Sequence, residues 1–198
     1  MASNITELKS TLFVAPVIST LFRYLSILLL KLIGWRAVNQ VPLLNKYLVI
    51  GAPHTSNWDF VLFLLFGFKM RYNTRWLGKD TLFRFPIRGL MIRLGGIPVD
   101  RSKSNNLVEQ MADYFNSVDE LSVIIAPEGT RDKTVGWKTG FYHIAIAANV
   151  PIVLGYVDSS TKSIGFGPVF YPTGDIEADL EKIQAFYADK KGLIPDNY

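Results

Sequence analysis

Apolar positions fall along this chain in two rhythms. Runs of four to seven mostly apolar residues at 47–51, 96–99, 121–126, 152–157 and 164–170 predict short strands. Longer segments at 60–68, 107–117 and 140–149 predict helices that alternate with them. A further helix is expected over 176–187, where Ile176, Leu180, Ile183 and Tyr187 share one face. Asp175, Glu177, Asp179 and Glu181 crowd its first turns and complement the helix dipole. Strands alternating with helices predict an α/β fold, and 198 residues are enough for one domain with a sizeable core.

The first 35 residues follow neither rhythm. Between Thr11 and Trp35 only Arg23 and Lys31 are charged, among leucines, isoleucines and aromatics. A spanning helix needs about 20 consecutive apolar residues, and here Arg23 breaks the run while Pro16 disfavours one helix from Thr11. Glu7 and Lys9 make a poor basic leader for a signal peptide. The pattern predicts that residues 1–35 form an interfacial helix, or a bent pair, lying in one leaflet with Arg23 and Lys31 reaching head groups. Residues 36–198 are then the α/β domain.

Composition narrows the chemistry. Hydrophobic residues make up 49% of the chain, which suits a protein that meets lipid. The absence of cysteine removes disulfides and thiolate chemistry, and with two histidines it disfavours a structural zinc site, so no metal is expected. Net charge is +4, concentrated between Lys69 and Arg93, where seven basic residues face the single acid Asp80 and Tyr72, Trp76, Phe83 and Phe85 are interleaved. Such a stretch suits anionic head groups. Nucleic acid is not expected as a partner, because no nucleic-acid motif accompanies the charge.

Candidate chemistry begins with His54 and Asp59. Histidine is the default general base for activating an alcohol, and a carboxylate separated from it by four residues can fix its tautomer. The same residues have a structural reading: Ser56 is placed as a helix N-cap, Ser56-x-x-Asp59 makes a capping box, and His54 is then a loop residue. A second cluster follows the predicted strand 121–126, where Glu128, Gly129, Thr130 and Arg131 make a turn suited to an anion. Asp100 and Arg101 follow another short apolar run. His143 falls inside a predicted helix, where a packing or hydrogen-bonding role is expected.

Taken in order, these blocks resemble the PlsC-type glycerolipid acyltransferases, the 1-acylglycerol-3-phosphate acyltransferase family. The His-x4-Asp motif is matched by His54 and Asp59, the Glu-Gly-Thr-Arg block by Glu128 to Arg131, and the block ending in Asp-Arg by Asp100 and Arg101. Lys79, Leu82, Pro86 and Gly89 match the approach to that middle block, and Val150 to Val153 match the Val-Pro-Ile-Val strand. The resemblance covers about residues 48–158. Two departures are Pro53, where asparagine often precedes the histidine, and Ala126, where an aromatic often precedes the proline.

The resemblance implies a mixed sheet flanked by helices and transfer of a fatty acyl group from a thioester to a lysolipid hydroxyl. His54 and Asp59 would be catalytic; Arg101, Glu128, Gly129, Thr130 and Arg131 would form the acceptor pocket. No cofactor is implied beyond acyl-CoA or acyl carrier protein as co-substrate, and the expected partners are membrane lipid, a lysolipid acceptor and the thioester donor. A peripheral or monotopic place on the cytoplasmic face of a membrane follows from donor supply. Three alternatives stay open: a lyso-aminolipid acceptor, a hydrolase using Ser56 as nucleophile, and a non-catalytic lipid-binding protein.

Overall fold

The computed structural model describes residues 11–99, 107–134 and 136–198. Among them seven strands form one sheet. In chain order they are β1 (Arg36–Val38), β2 (Lys46–Ala52), β3 (Arg75–Lys79), β4 (Gly96–Val99), β5 (Leu121–Ile125), β6 (Ile152–Asp158) and β7 (Ser163–Phe170). Six described helices accompany them: α1 (Pro16–Leu32), α2 (Trp58–Met70), α3 (Arg88–Arg93), α4 (Leu107–Ser117), α5 (Gly140–Ala148) and α6 (Ile176–Tyr187). The strand order is β1-β7-β6-β2-β5-β3-β4. Every pairing is parallel except β6 with β7, so the sheet is mixed.

Strand β2 shows why the sheet is central. Its side chains alternate between faces, and both faces are covered. Leu48, Ile50 and Ala52 pack with Met111 and Phe115 of α4, Phe141 and Ile144 of α5 and Ile183 of α6. Tyr47 and Val49 point the other way, into a cluster with Leu30 of α1, Leu62 and Phe66 of α2, and Phe166 of β7. A strand buried on both sides reads as a continuous apolar run, which is how it stands out in the sequence.

The predicted strands and helices are all present, with ends moved by one or two residues. Three elements escaped the pattern: β1, β3 and α3. Strand β3 lies inside the basic stretch, whose expected role as a head-group surface needs correction for Arg75 and most of its aromatics, while Arg71, Lys79, Arg84, Arg88 and Arg93 are exposed. Arg75, Tyr72, Trp76 and Phe83 are buried, whereas Phe85 is 95% exposed. Trp76 stacks on Phe83 at 5.6 Å and donates its indole N–H to the Leu94 carbonyl at 2.9 Å. These aromatics are core, not interface. His143 also differs from its expectation: it is exposed on α5, with its ring edge-on to Tyr142 at 6.2 Å.

Helix α1 does not vanish into the core. Ser19, Ser26 and Leu30 are its buried positions, while Val17, Leu21, Tyr24, Leu25, Leu28 and Leu32 are exposed. It rests on α2 through Phe22 stacked on Phe68 at 4.9 Å, and Arg71 donates to Thr20 Oγ1 at 2.8 Å. No described helix is long and apolar enough to cross a membrane.

Candidate active site

Parallel pairing brings the site together. β2 and β5 are neighbours running in the same direction, with Ile50 beside Ile125, so the chains leaving their carboxyl ends emerge at one edge of the sheet. Open α/β sheets bind ligands at that edge. His54 follows β2 by two residues and Glu128 follows β5 by three.

The loop from His54 to Asp59 is tied by one carboxylate oxygen. Asp59 Oδ2 accepts the Thr55 and Ser56 backbone N–H groups, each at 2.8 Å, and lies 3.2 Å from His54 Nδ1. Asp59 sits in the first turn of α2, where the helix dipole favours negative charge. A proton on Nδ1 shared with Asp59 makes Nε2 the basic nitrogen of the ring. The imidazole is 29% exposed, against 6% for the Asp59 side chain, so the ring is accessible and the carboxylate beside it is not.

The capping expectation is correct in its carboxylate half and displaced in the other. Helix α2 begins at Trp58 with Asn57 at the cap, and Asn57 makes no side-chain capping bond. Ser56, one residue earlier than required, uses its buried hydroxyl to accept the Trp58 N–H at 3.2 Å. Among the described residues no hydrogen bond joins that hydroxyl to His54, so the Ser56 nucleophile reading loses its base.

Glu128 reaches back to the same loop. Its Oε1 accepts the His54 backbone N–H at 3.1 Å, and the side chain is buried. Burial raises its carboxyl above the ordinary glutamate range, partly offset by backbone hydrogen bonds including that from His54. Asp59 Oδ1 and Glu128 Oε2 are buried with no hydrogen-bond partner among the described residues. Nearby, Tyr198 is pushed up to about 12 by burial and by the Glu128 charge.

Gly129 holds a left-handed conformation at φ +67°, which a side chain would strain. A Cβ there would also meet the Lys138 side chain at 3.1 Å, so the lysine stem lies across this turn. Arg131 is exposed and bonds the side-chain oxygen of Asn57, joining the second motif to the first. Thr130 Oγ1 bonds Asp132 at 3.3 Å. Asp100 and Arg101 lie outside the described residues.

Beside the dyad loop runs an apolar groove of about 540 Å³. It is lined by Leu29, Ile33 and Trp35, by Trp58, Val61, Leu62 and Leu65 of α2, and by Leu193 and Ile194. Ser56 lines it too, which places the groove two residues from His54. Asn57, Lys138 and the segment after α6 carry no periodicity or motif of their own. Only Asn57 had a signal, its place inside His-x4-Asp.

A profile of the Acyltransferase family matches residues 36–154. The chain belongs to that family. It is 32% identical over 136 residues to the 1-acyl-sn-glycerol-3-phosphate acyltransferase of Haemophilus influenzae, covering 63% of this chain and 55% of that protein. The Escherichia coli protein of the same description is 31% identical over 120 residues, covering 57% and 47%. The chain thus spans about half the length of the curated relatives it matches. The crystal structure of the 1-acyl-sn-glycerophosphate (LPA) acyltransferase PlsC from Thermotoga maritima superposes with a TM-score of 0.56 at 14% identity, covering 88% of this chain and 82% of that one. That likeness is one of fold. It agrees with the mixed α/β domain that the motif order implies.

Proposed function

We propose that this protein transfers a fatty acyl group from a thioester donor to the free hydroxyl of a lysophospholipid of the 1-acylglycerol-3-phosphate class. The observation that carries the reading is the His54–Asp59 pair, 3.2 Å apart, in a loop whose Ser56 and Trp58 line an apolar groove. The acceptor O–H gives its proton to His54 Nε2 as its oxygen attacks the thioester carbonyl carbon. The C–S bond breaks as the carbonyl re-forms, and the departing thiolate takes the proton back from the imidazolium. Asp59 orients the ring and balances its transient charge. No acyl-enzyme is needed.

Arg131 and Arg101 would grip the acceptor phosphate, turning a bimolecular encounter into a positioned one. Glu128 holds the His54 backbone in this reading, while Gly129 and Thr130 shape the turn. The groove suits an acyl chain in size and lining. The donor is acyl-CoA or acyl carrier protein. Residues 1–35 would serve as the membrane-interface segment, since α1 turns leucines outward, and 36–198 as the catalytic domain on a cytoplasmic membrane face.

One experiment tests the reaction. A labelled acyl-CoA and a labelled acyl carrier protein are each incubated with the protein, with and without 1-acylglycerol-3-phosphate. Labelled diacyl product that depends on the acceptor supports the proposal. Free fatty acid in its place would mean hydrolysis, and bound but unconverted donor would mean a lipid-binding protein.

A further inference from the structure

The segment after α6 returns to the catalytic loop. It is first stapled to the β6–β7 turn: Ser159 N–H donates to the Lys191 carbonyl at 2.8 Å, Lys191 N–H to Asp158 Oδ1 at 3.2 Å, and Ser159 Oγ to the Gly192 carbonyl at 2.7 Å. It then meets Thr55, the residue next to the base. Ile194 N–H donates to Thr55 Oγ1 at 3.1 Å, and Asn197 Nδ2 donates to the Thr55 carbonyl at 3.3 Å. Thr55 N–H already goes to Asp59. Every polar atom of this residue, which is 1% exposed, is therefore held.

The approach is close enough to demand glycine. A Cβ at Gly192 would stand 2.5 Å from Thr55 Oγ1 and 2.6 Å from its Cγ2, nearer than real contacts allow. Leu193 and Ile194 meanwhile line the apolar groove. The same few residues thus touch the chain-binding surface on one side and the peptide joining His54 to Ser56 on the other.

We infer that residues 192–197 are a positioning strap, which sets the His54–Asp59 geometry through Thr55 and closes the groove with Leu193 and Ile194. The inference rests on the acyl-transfer reading for its catalytic consequence but not for its structural content. Thr55 carries no proton in the reaction; it fixes the peptide from which the base projects. Misplacing a reacting group by about an ångström costs up to roughly 100-fold in rate. Losing one strap contact should therefore lower kcat more than it raises KM.

The test compares Thr55→Val, Asn197→Ala and the conservative Thr55→Ser in the full chain. Thr55→Val keeps the shape and removes the acceptor for Ile194 N–H, while Thr55→Ser keeps it. The expected outcome is a kcat about 10-fold lower in Thr55→Val and Asn197→Ala, with KM for thioester and acceptor nearly unchanged and near-normal turnover in Thr55→Ser. A second readout needs no substrate: amide hydrogen exchange at Thr55 and Ser56, whose N–H groups bond Asp59, should quicken in the first two variants while exchange at Val49 and Ile50 of β2 holds. Unchanged exchange at Thr55 and Ser56 overturns the strap. Faster exchange with wild-type kcat overturns its catalytic role. Wild-type protein that transfers no acyl group refutes the reaction instead, and the exchange readout still decides whether the strap holds the loop.

Discussion

The His54–Asp59 loop and the outer face of α1 reverse the ordinary placement of side chains in opposite senses. At the loop, two carboxylates, Asp59 and Glu128, are each 5% exposed. On α1, Val17 is 82% exposed, Leu21 67% and Leu32 72%, while the buried positions include Ser19 and Ser26. Burying a carboxylate is unfavourable unless hydrogen bonds replace its water. A contiguous apolar face left in water is equally unfavourable, and such faces mark interaction sites. The loop meets part of that penalty with backbone N–H groups, two on Asp59 Oδ2 and one on Glu128 Oε1, while the other oxygen of each carboxylate has no partner among the described residues. Among the described residues nothing covers the face of α1. One region draws its partners from within the fold, and the other is completed by lipid in our reading. Helix α2 joins them, carrying Asp59 at its start and bearing α1 on its side.

The largest effect should come from breaking the loop. His54→Ala removes the base, and transfer should fall by roughly 10² to 10⁴ while the fold remains. Asp59→Asn should lose much of the same activity, since it weakens the contact that orients the ring. Circular dichroism checks the fold and the labelled-thioester assay the rate. Either variant, folded and near normal in turnover, would break the dyad assignment.

Breaking the incomplete region should leave the chemistry intact and remove its address. Leu21→Asp with Leu28→Asp places two charges on the exposed face of α1 without touching Ser19, Ser26 or Leu30. Each buried apolar side chain is worth about 1.5–3 kcal/mol, so vesicle affinity should drop by at least about 10-fold. Activity on a short, soluble acceptor should change little. Flotation with vesicles of anionic phospholipid measures the first quantity. Undiminished binding would mean that α1 faces something other than lipid.

Arg131 tests the boundary between the two regions, where the acceptor head group would sit. Arg131→Ala should raise the acceptor KM roughly 10-fold and the donor KM less, and Arg131→Lys should also be impaired, because lysine lacks the planar fork. Saturation curves for both substrates decide it. A raised donor constant beside an unchanged acceptor constant would move the cation to the thioester side.

The contrast also explains what the sequence could tell. His54, Asp59 and the Glu128–Arg131 turn were legible because chemistry restricts residue type and order there. Strands β2, β5 and β6 were legible because burial on both faces leaves unbroken apolar runs. β3 was not, since Arg75 and Lys79 disguise a strand whose Trp76 and Phe83 pack inside. The serine-in, leucine-out orientation of α1 was hidden as well, because an apolar run does not say which side faces the protein. The strap escaped altogether. It acts through the backbone N–H of Ile194 and one exocyclic amide of Asn197, and donors of that kind leave no pattern.

The smallest effect should sharpen the electrostatic half of the comparison. Burial raises the Glu128 carboxyl above its unfolded value, so the folded state binds this proton more tightly than the unfolded chain. Its contribution to stability is then fully present below the ordinary glutamate range and is lost as pH rises through the raised folded value. At neutral pH, where the unfolded chain carries this glutamate ionised, burying the carboxyl weakens the fold. Glu128→Gln keeps an oxygen to accept the His54 N–H and removes the charge, so its Tm should exceed that of the wild type at pH 7. The advantage should shrink as pH falls through the raised folded value and be gone below the ordinary glutamate range, where both side chains are neutral in both states. Thermal melts across that interval measure the difference between the two proteins, in which the other carboxylates largely cancel. A variant no more stable at neutral pH would mean that the hydrogen bond from His54 already balances the burial of Glu128, and the loop would then be less costly than its exposed counterpart on α1. The acceptor KM of the same variant adds a second decision: unchanged, it keeps Glu128 as a support for His54, and raised, it brings that carboxylate into the acceptor pocket.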